Sequence, residues 1–143
     1  MKYHFKTTYK KIISDMLTPV SIYLRLRAAF PKTILLESSD YHGDEHNFSY
    51  ICFHPVAGFQ LQQQSFHAWF PDGQQLSKQL EPMQLADEVN AFLQHFIPSH
   101  THFPFISNGL FGYMSFDVIQ HFEDIRLRHA ANQIPTALYH VYQ

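Results

Sequence analysis

A single cysteine, Cys52, among 143 residues has nothing to pair with inside the chain. That excludes an internal disulfide framework and fits a reducing compartment. Charge is also scarce. Lys, Arg, Asp and Glu make up 15% of the chain, and their signs nearly cancel to a formal -2. Acids and bases are spread along the sequence, so no basic stripe exists to neutralise phosphates, and no nucleic-acid partner is expected. No apolar run approaches the roughly 20 residues of a spanning helix, so no membrane partner is expected either. The start, Met1 to Lys11, is basic and aromatic and lacks the apolar core of a secretory signal. These absences lead us to expect a soluble, cytoplasmic protein. Internal repeats are missing, and the only low-complexity run, Gln62-Gln63-Gln64, reads as a solvated turn. Nucleophile elbow, P-loop, dinucleotide fingerprint and zinc-protease motif are all absent. Spacing alone therefore reveals no catalytic centre.

What the chain does hold is apolar and aromatic. Hydrophobic residues are 45% and aromatics 16%, with 14 Phe and 8 Tyr against one Trp. That composition folds, and it favours sheets and large ring clusters. At this length it makes one ordinary domain.

Thr18-Pro19 reads as a helix start, with Thr18 as N-cap and Pro19 at the first helical position. The helix should run to about Phe30, where Pro31 stops it. Its apolar arc is wide, which predicts cover by more than one sheet. Arg27 falls inside that arc, either snorkelling past apolar neighbours or paired with a buried acid. Thr33-Ile34-Leu35-Leu36-Glu37-Ser38 follows, an apolar run that predicts a strand covered on both faces. It ends on a carboxylate and a hydroxyl. These either emerge into solvent or meet a ligand.

Beyond the polar loop Asp40 to Asn47, Phe48–Phe53 reads as a second strand, with Phe48, Tyr50 and Cys52 on one face. Phe59 and Leu61 mark a half-solvated third strand, and Phe66, Ala68 and Phe70 a fourth, closed by Pro71-Asp72-Gly73. The succession is an antiparallel meander. Glu81-Pro82 opens a second helix with the stripe Leu85, Val89, Phe92, Leu93 and Phe96, ended by Pro98. Gly109 and Gly112, three apart in an aromatic run, predict close backbone approach or a bulge. A short helix is expected over Ser115–Phe122. Ala137–Tyr142 alternates as a last strand, still in progress at Gln143, so we expect a piece of a longer protein. The predicted class is α+β: an antiparallel sheet meander with two to three helices, part of a larger α/β sandwich.

Eleven histidines invite a metal reading. His100-Thr101-His102 is the tightest set and the pair His42 and His46 the next, but His100-Thr101-His102 lies in a Pro-flanked loop with no Cys near it and no nearby Asp or Glu to complete the three or four ligands zinc requires. No metal ligand is expected. Cys52 sits in an apolar strand with no basic neighbour in sequence, the setting of an inert core thiol.

Three segments, in order, carry a resemblance. They are Leu17-Thr18-Pro19-Val20-Ser21-Ile22-Tyr23-Leu24-Arg25-Leu26-Arg27, then Leu35-Leu36-Glu37-Ser38, then Gly109-Leu110-Phe111-Gly112-Tyr113-Met114-Ser115-Phe116-Asp117 with Phe122-Glu123. Together they resemble the N-terminal region of the anthranilate synthase component I family, over about Thr18 to Tyr142. The resemblance implies a large subunit that converts chorismate to anthranilate, takes ammonia from a glutamine amidotransferase partner (component II), uses Mg2+ and is feedback-inhibited by L-tryptophan. It also implies that catalytic and magnesium-binding residues belong to a chorismate-binding domain outside this chain, which alone would be inactive. The Leu-Leu-Glu-Ser element carries over as part of the inhibitor site: Leu36, Glu37 and Ser38, with Ser49 added by position. Alternatives are the aminodeoxychorismate synthase of folate synthesis, another chorismate-utilising enzyme, or a stand-alone small-molecule-binding or interaction module.

Overall fold

The computed structural model describes residues 1–37, 48–99, 103, 105–125 and 133–143. Thr18 and Pro19 start the first helix as the sequence predicts. Helix α1 covers Pro19–Ala29, and Thr18 and Ser21 cap each other reciprocally, satisfying two otherwise orphan donors. Phe30 ends it in an extended conformation before Pro31. The wide apolar arc is left open. No α1 residue is buried, and Val20 and Leu24 are 46% and 49% exposed. Arg27 is exposed, with its guanidinium 5.8 Å above the Tyr23 ring, so it lies along an aromatic neighbour rather than on a buried acid.

The run after α1 corrects the sequence reading. Strand β2 (Ile34–Leu36) is only three residues long and pairs antiparallel with β3 (Tyr50–Cys52) in a two-stranded ribbon. It is not covered on both faces: Ile34 and Leu35 are half-buried and Leu36 is 38% exposed. The reason is topological. The ribbon stays outside the main sheet, so β2 has β3 as its one ladder partner.

The main sheet has five strands: β4 (Pro55–Gln62), β5 (Ser65–Trp69), β6 (Gln75–Gln79), β8 (Phe111–Met114) and β9 (Ala137–Tyr142). Their order is β6-β5-β4-β9-β8, antiparallel throughout. Of the expected meander the steps β2 to β3 and β4 to β5 are present, but β3 does not pair with β4, and β6 extends the run where no strand was expected. Gln62 pairs with Ser65 around a tight turn with Gln63 at φ 56. In the next turn the Asp72 carboxylate accepts from the Gln74 N–H at 3.0 Å. Alternation along β4 and β5 then puts Ala57, Phe59, Leu61, Phe66 and Ala68 on one face, all buried. Ala137 and Val141 of β9 join them, and α2 (Leu85–Leu93) covers this face with Leu85 and Phe92. Phe59 is the centre, stacked on Phe66 and Tyr139 and edge-on to Phe92.

Three features depart from the sequence reading. Strand β6 is not signalled, because its half-polar residues lack an apolar period. The second helix stops at Leu93 rather than running to Pro98, and Phe96 belongs to β7 (Phe96–Pro98). That strand pairs with β1 (Tyr3–Phe5) and runs parallel to it, against the all-antiparallel expectation. Pro98 favours an extended Ile97, and the pairing gathers the rings of Tyr3, Phe5, Phe70 and Phe96. Local helical period yields to this cluster. Gly112, by contrast, makes the close approach its spacing predicts: a Cβ there would collide with Leu138 O on β9. A 3-10 helix, Phe116–His121, replaces the short helix expected over Ser115–Phe122.

Candidate functional site

The ribbon β2–β3 positions the predicted site. Its start is pinned where α1 ends. The Thr33 hydroxyl donates to Phe30 O at 2.7 Å, the Tyr142 hydroxyl donates to Lys32 O at 2.9 Å, and the Phe30 ring lies 5.1 Å from that of Phe53. From that anchor β2 runs outward, with Leu36 opposite Tyr50. Glu37 follows Leu36, and Ser49 precedes Tyr50. Both are exposed, each one residue beyond the last ladder pair at the ribbon's open end. Ser38, the remaining candidate, lies outside the described residues, as do His42, His46, His100 and His102.

Beside the ribbon is a cavity of about 320 Å³. Ile51, Cys52 and Phe53 of the β3 side, Phe96, and the segment 106–109 line it, and Tyr50 ties it to the ribbon's open end. Tyr50 accepts from the Ile106 N–H at 3.2 Å, and its ring lies 6.1 Å from Phe111 and 6.4 Å from Phe48. None of the lining side chains is acidic or basic. Burial pushes the Cys52 thiol up to about 11, so it is a neutral thiol here and not a nucleophile. Burial likewise pushes Tyr142 up to about 12, with Cys52 adding to it, which keeps its hydroxyl a donor.

Sequence reasoning missed this cavity. Its one signal was the alternation that put Phe48, Tyr50 and Cys52 on a single face. The return of residues 106–109 to that face had no sequence sign. Among the described residues no three His, Cys, Asp or Glu side chains lie close enough to hold a metal ion.

The fold and site define a class: an α+β chain with a short polar-ended ribbon and an uncharged cavity of small-molecule size. Comparison with known proteins narrows it. No family model matches the chain. It is similar to anthranilate synthase component 1 of Lactococcus lactis subsp. lactis (strain IL1403), 30% identical over 122 residues. The alignment takes in 82% of this chain and 24% of that relative, so the chain spans about a quarter of its length. That relative carries the name of the family that the three sequence segments resemble.

Proposed function

We propose that this chain is the N-terminal, tryptophan-sensing part of the large subunit of anthranilate synthase. The parent enzyme would convert chorismate and ammonia to anthranilate and pyruvate, the first step of tryptophan synthesis. Ammonia would come from the glutamine amidotransferase subunit. The chemistry and its magnesium would lie in a chorismate-binding domain that this chain does not include, and no catalytic step is assigned to residues here.

The observation that carries the reading is the position of Glu37 and Ser49, both exposed and each one residue beyond the last ladder pair of β2–β3, apolar Leu36 with Tyr50. A bound amino acid presents an ammonium, a carboxylate and a side chain. Glu37 accepts from the ammonium in a charge-assisted bond, Ser38 and Ser49 donate to the carboxylate, and Leu36 flanks the indole. An exposed end needs further walls to desolvate such a ligand, so this chain alone binds tryptophan weakly or not at all. The inhibitor acts through the difference in its affinity for two states of the enzyme, not through contact with the reaction.

The test is made in the full-length polypeptide. Glu37→Ala removes one charge-assisted hydrogen bond and should raise the tryptophan concentration for half-inhibition by roughly tenfold or more. Ser38→Phe should do the same by filling the site. Both should leave uninhibited chorismate turnover largely intact. Unchanged inhibition in both variants would sink the assignment.

A further inference from the structure

The other face of the five-stranded sheet carries a second feature. Along one row, Trp69 of β5 and His140 of β9 both pair with Gly58 of β4, and Phe111 of β8 pairs with His140. A Cβ on Gly58 would collide with the Trp69 ring, so the glycine lets the indole lie down across the strand. There it meets the His140 ring edge-on at 5.3 Å. The next row brings His67, Gln60, Leu138 and Tyr113 together. The result is a cleft of about 660 Å³ with an aromatic floor.

Lys32 stands at its rim. Its backbone is held by the Tyr142 hydroxyl, and its ammonium lies 5.1 Å above the Trp69 ring. Among the described residues the one ion pair joins Lys78 and Glu88, so Lys32 has no carboxylate partner there. None of the lining residues is acidic. His140 is 5% exposed, and its Nε2 has no hydrogen-bond partner among the described residues. Burial first, and then the Lys32 charge, pushes its pKa down to about 4. At neutral pH this imidazole is uncharged, and Lys32 is the cleft's one fixed charge.

A lone cation over an aromatic floor, with amides at the side from Gln60 and Gln75 and no acid to repel an anion, selects for charge and shape together. We propose that this cleft is a binding site for a small planar aromatic carboxylate, its ring against Tyr113 and alongside the Trp69 indole and its carboxylate on the Lys32 ammonium. The site is distinct from the ribbon end of Glu37 and Ser49 and does not depend on that assignment.

Trp69 is the only tryptophan in the chain, so its fluorescence reports the floor directly. The probe is benzoate, with benzamide as the uncharged shape-matched control, titrated into the 143-residue chain. Benzoate should shift or quench Trp69 emission saturably and bind roughly fivefold tighter than benzamide, the scale of an exposed charge pair. Lys32→Gln should erase that preference and Lys32→Arg should keep it. Gln75→Glu, which places an acid in the lining without touching Lys32, should weaken benzoate alone. It also serves if Lys32→Gln perturbs the turn. Equal binding of the two probes, no saturation, or a preference that survives both Lys32→Gln and Gln75→Glu would overturn the proposal.

Discussion

His140 is a buried imidazole whose Nε2 finds no partner among the described residues, and that makes it a liability in acid. Its ordinary value is 6.5, and in the fold it drops to about 4. Between those values the unfolded chain holds the proton and the folded chain does not. Stability is therefore lost as pH falls through 6.5 and levels off below about 4, for a total of about 3 kcal/mol. Burial pushes His121 the same way, so both act on one acid limb. The variant His140→Phe separates them. The unfolding free energy of the native chain minus that of the variant should fall by about 2 kcal/mol between about pH 7 and about pH 5. Urea titrations at the two pH values measure it, and a gap that does not move would show that His140 is not the group responsible. In sequence this residue was one histidine among eleven. Alternation in Ala137–Tyr142 placed it with Leu138 and Tyr142, but nothing local says that Trp69 and Lys32 close over that face. Glu37 and Ser49 differ. The resemblance nominated them, and the β2–β3 register, which no local sequence signal gives, leaves each one residue past its last pair, Leu36 with Tyr50.

At the scale of elements, what could be read from sequence was whatever local chemistry decides. The Thr18 cap and Pro19 fix the start of α1, alternation fixes β4, β5 and β9, and Pro71-Asp72-Gly73 marks the turn after β5 without signalling the β6 that follows. Elements decided by distant partners could not be read. Phe96 fits the stripe of α2 in period but pairs with Tyr3, more than ninety positions away in chain order. The length of β2 depends on β3 alone because the ribbon never joins the main sheet. Gly112 lies between these cases, since its spacing announced a close approach without naming the partner. That partner is β9, the strand between β4 and β8. Gly112→Ala would drive a methyl into Leu138 O and against the Tyr139 backbone. Backbone in a ladder cannot swing aside as a flexible side chain does, so the cost should be about 3 kcal/mol. A lowered urea midpoint with an unchanged slope is the expected signature. A loss within about 0.5 kcal/mol, the range of an ordinary surface change, would mean that β8 is not held at this spacing.

The molecule is divided between a well-buried sheet face and apolar surface that stays exposed among the described residues. Its accessible area is 10933 Å², against about 7,600 Å² for a compact chain of this size. Part of the excess is apolar and contiguous in sequence: Ile12, Ile13, Met16, Leu17, Val20 and Leu24 are all exposed. Helix α1 holds its shape through its cap and its contact with β2, while its wide apolar arc faces outward. Surfaces of that kind drive association when they are left uncovered. The isolated chain should therefore bind a hydrophobic dye and elute from a sizing column ahead of its monomer mass, increasingly so with concentration. The double variant Val20→Lys with Leu24→Lys tests the cause. Neither side chain belongs to the core, so folding stability should stay within about 0.5 kcal/mol of the parent chain. Dye binding and early elution should both fall. If association persists in a variant of unchanged stability, the sticky surface is not α1. If stability collapses instead, then α1 is packed more deeply than its exposed residues show. Only reduced association at constant stability fits a helix whose apolar face is built to be covered from outside this chain.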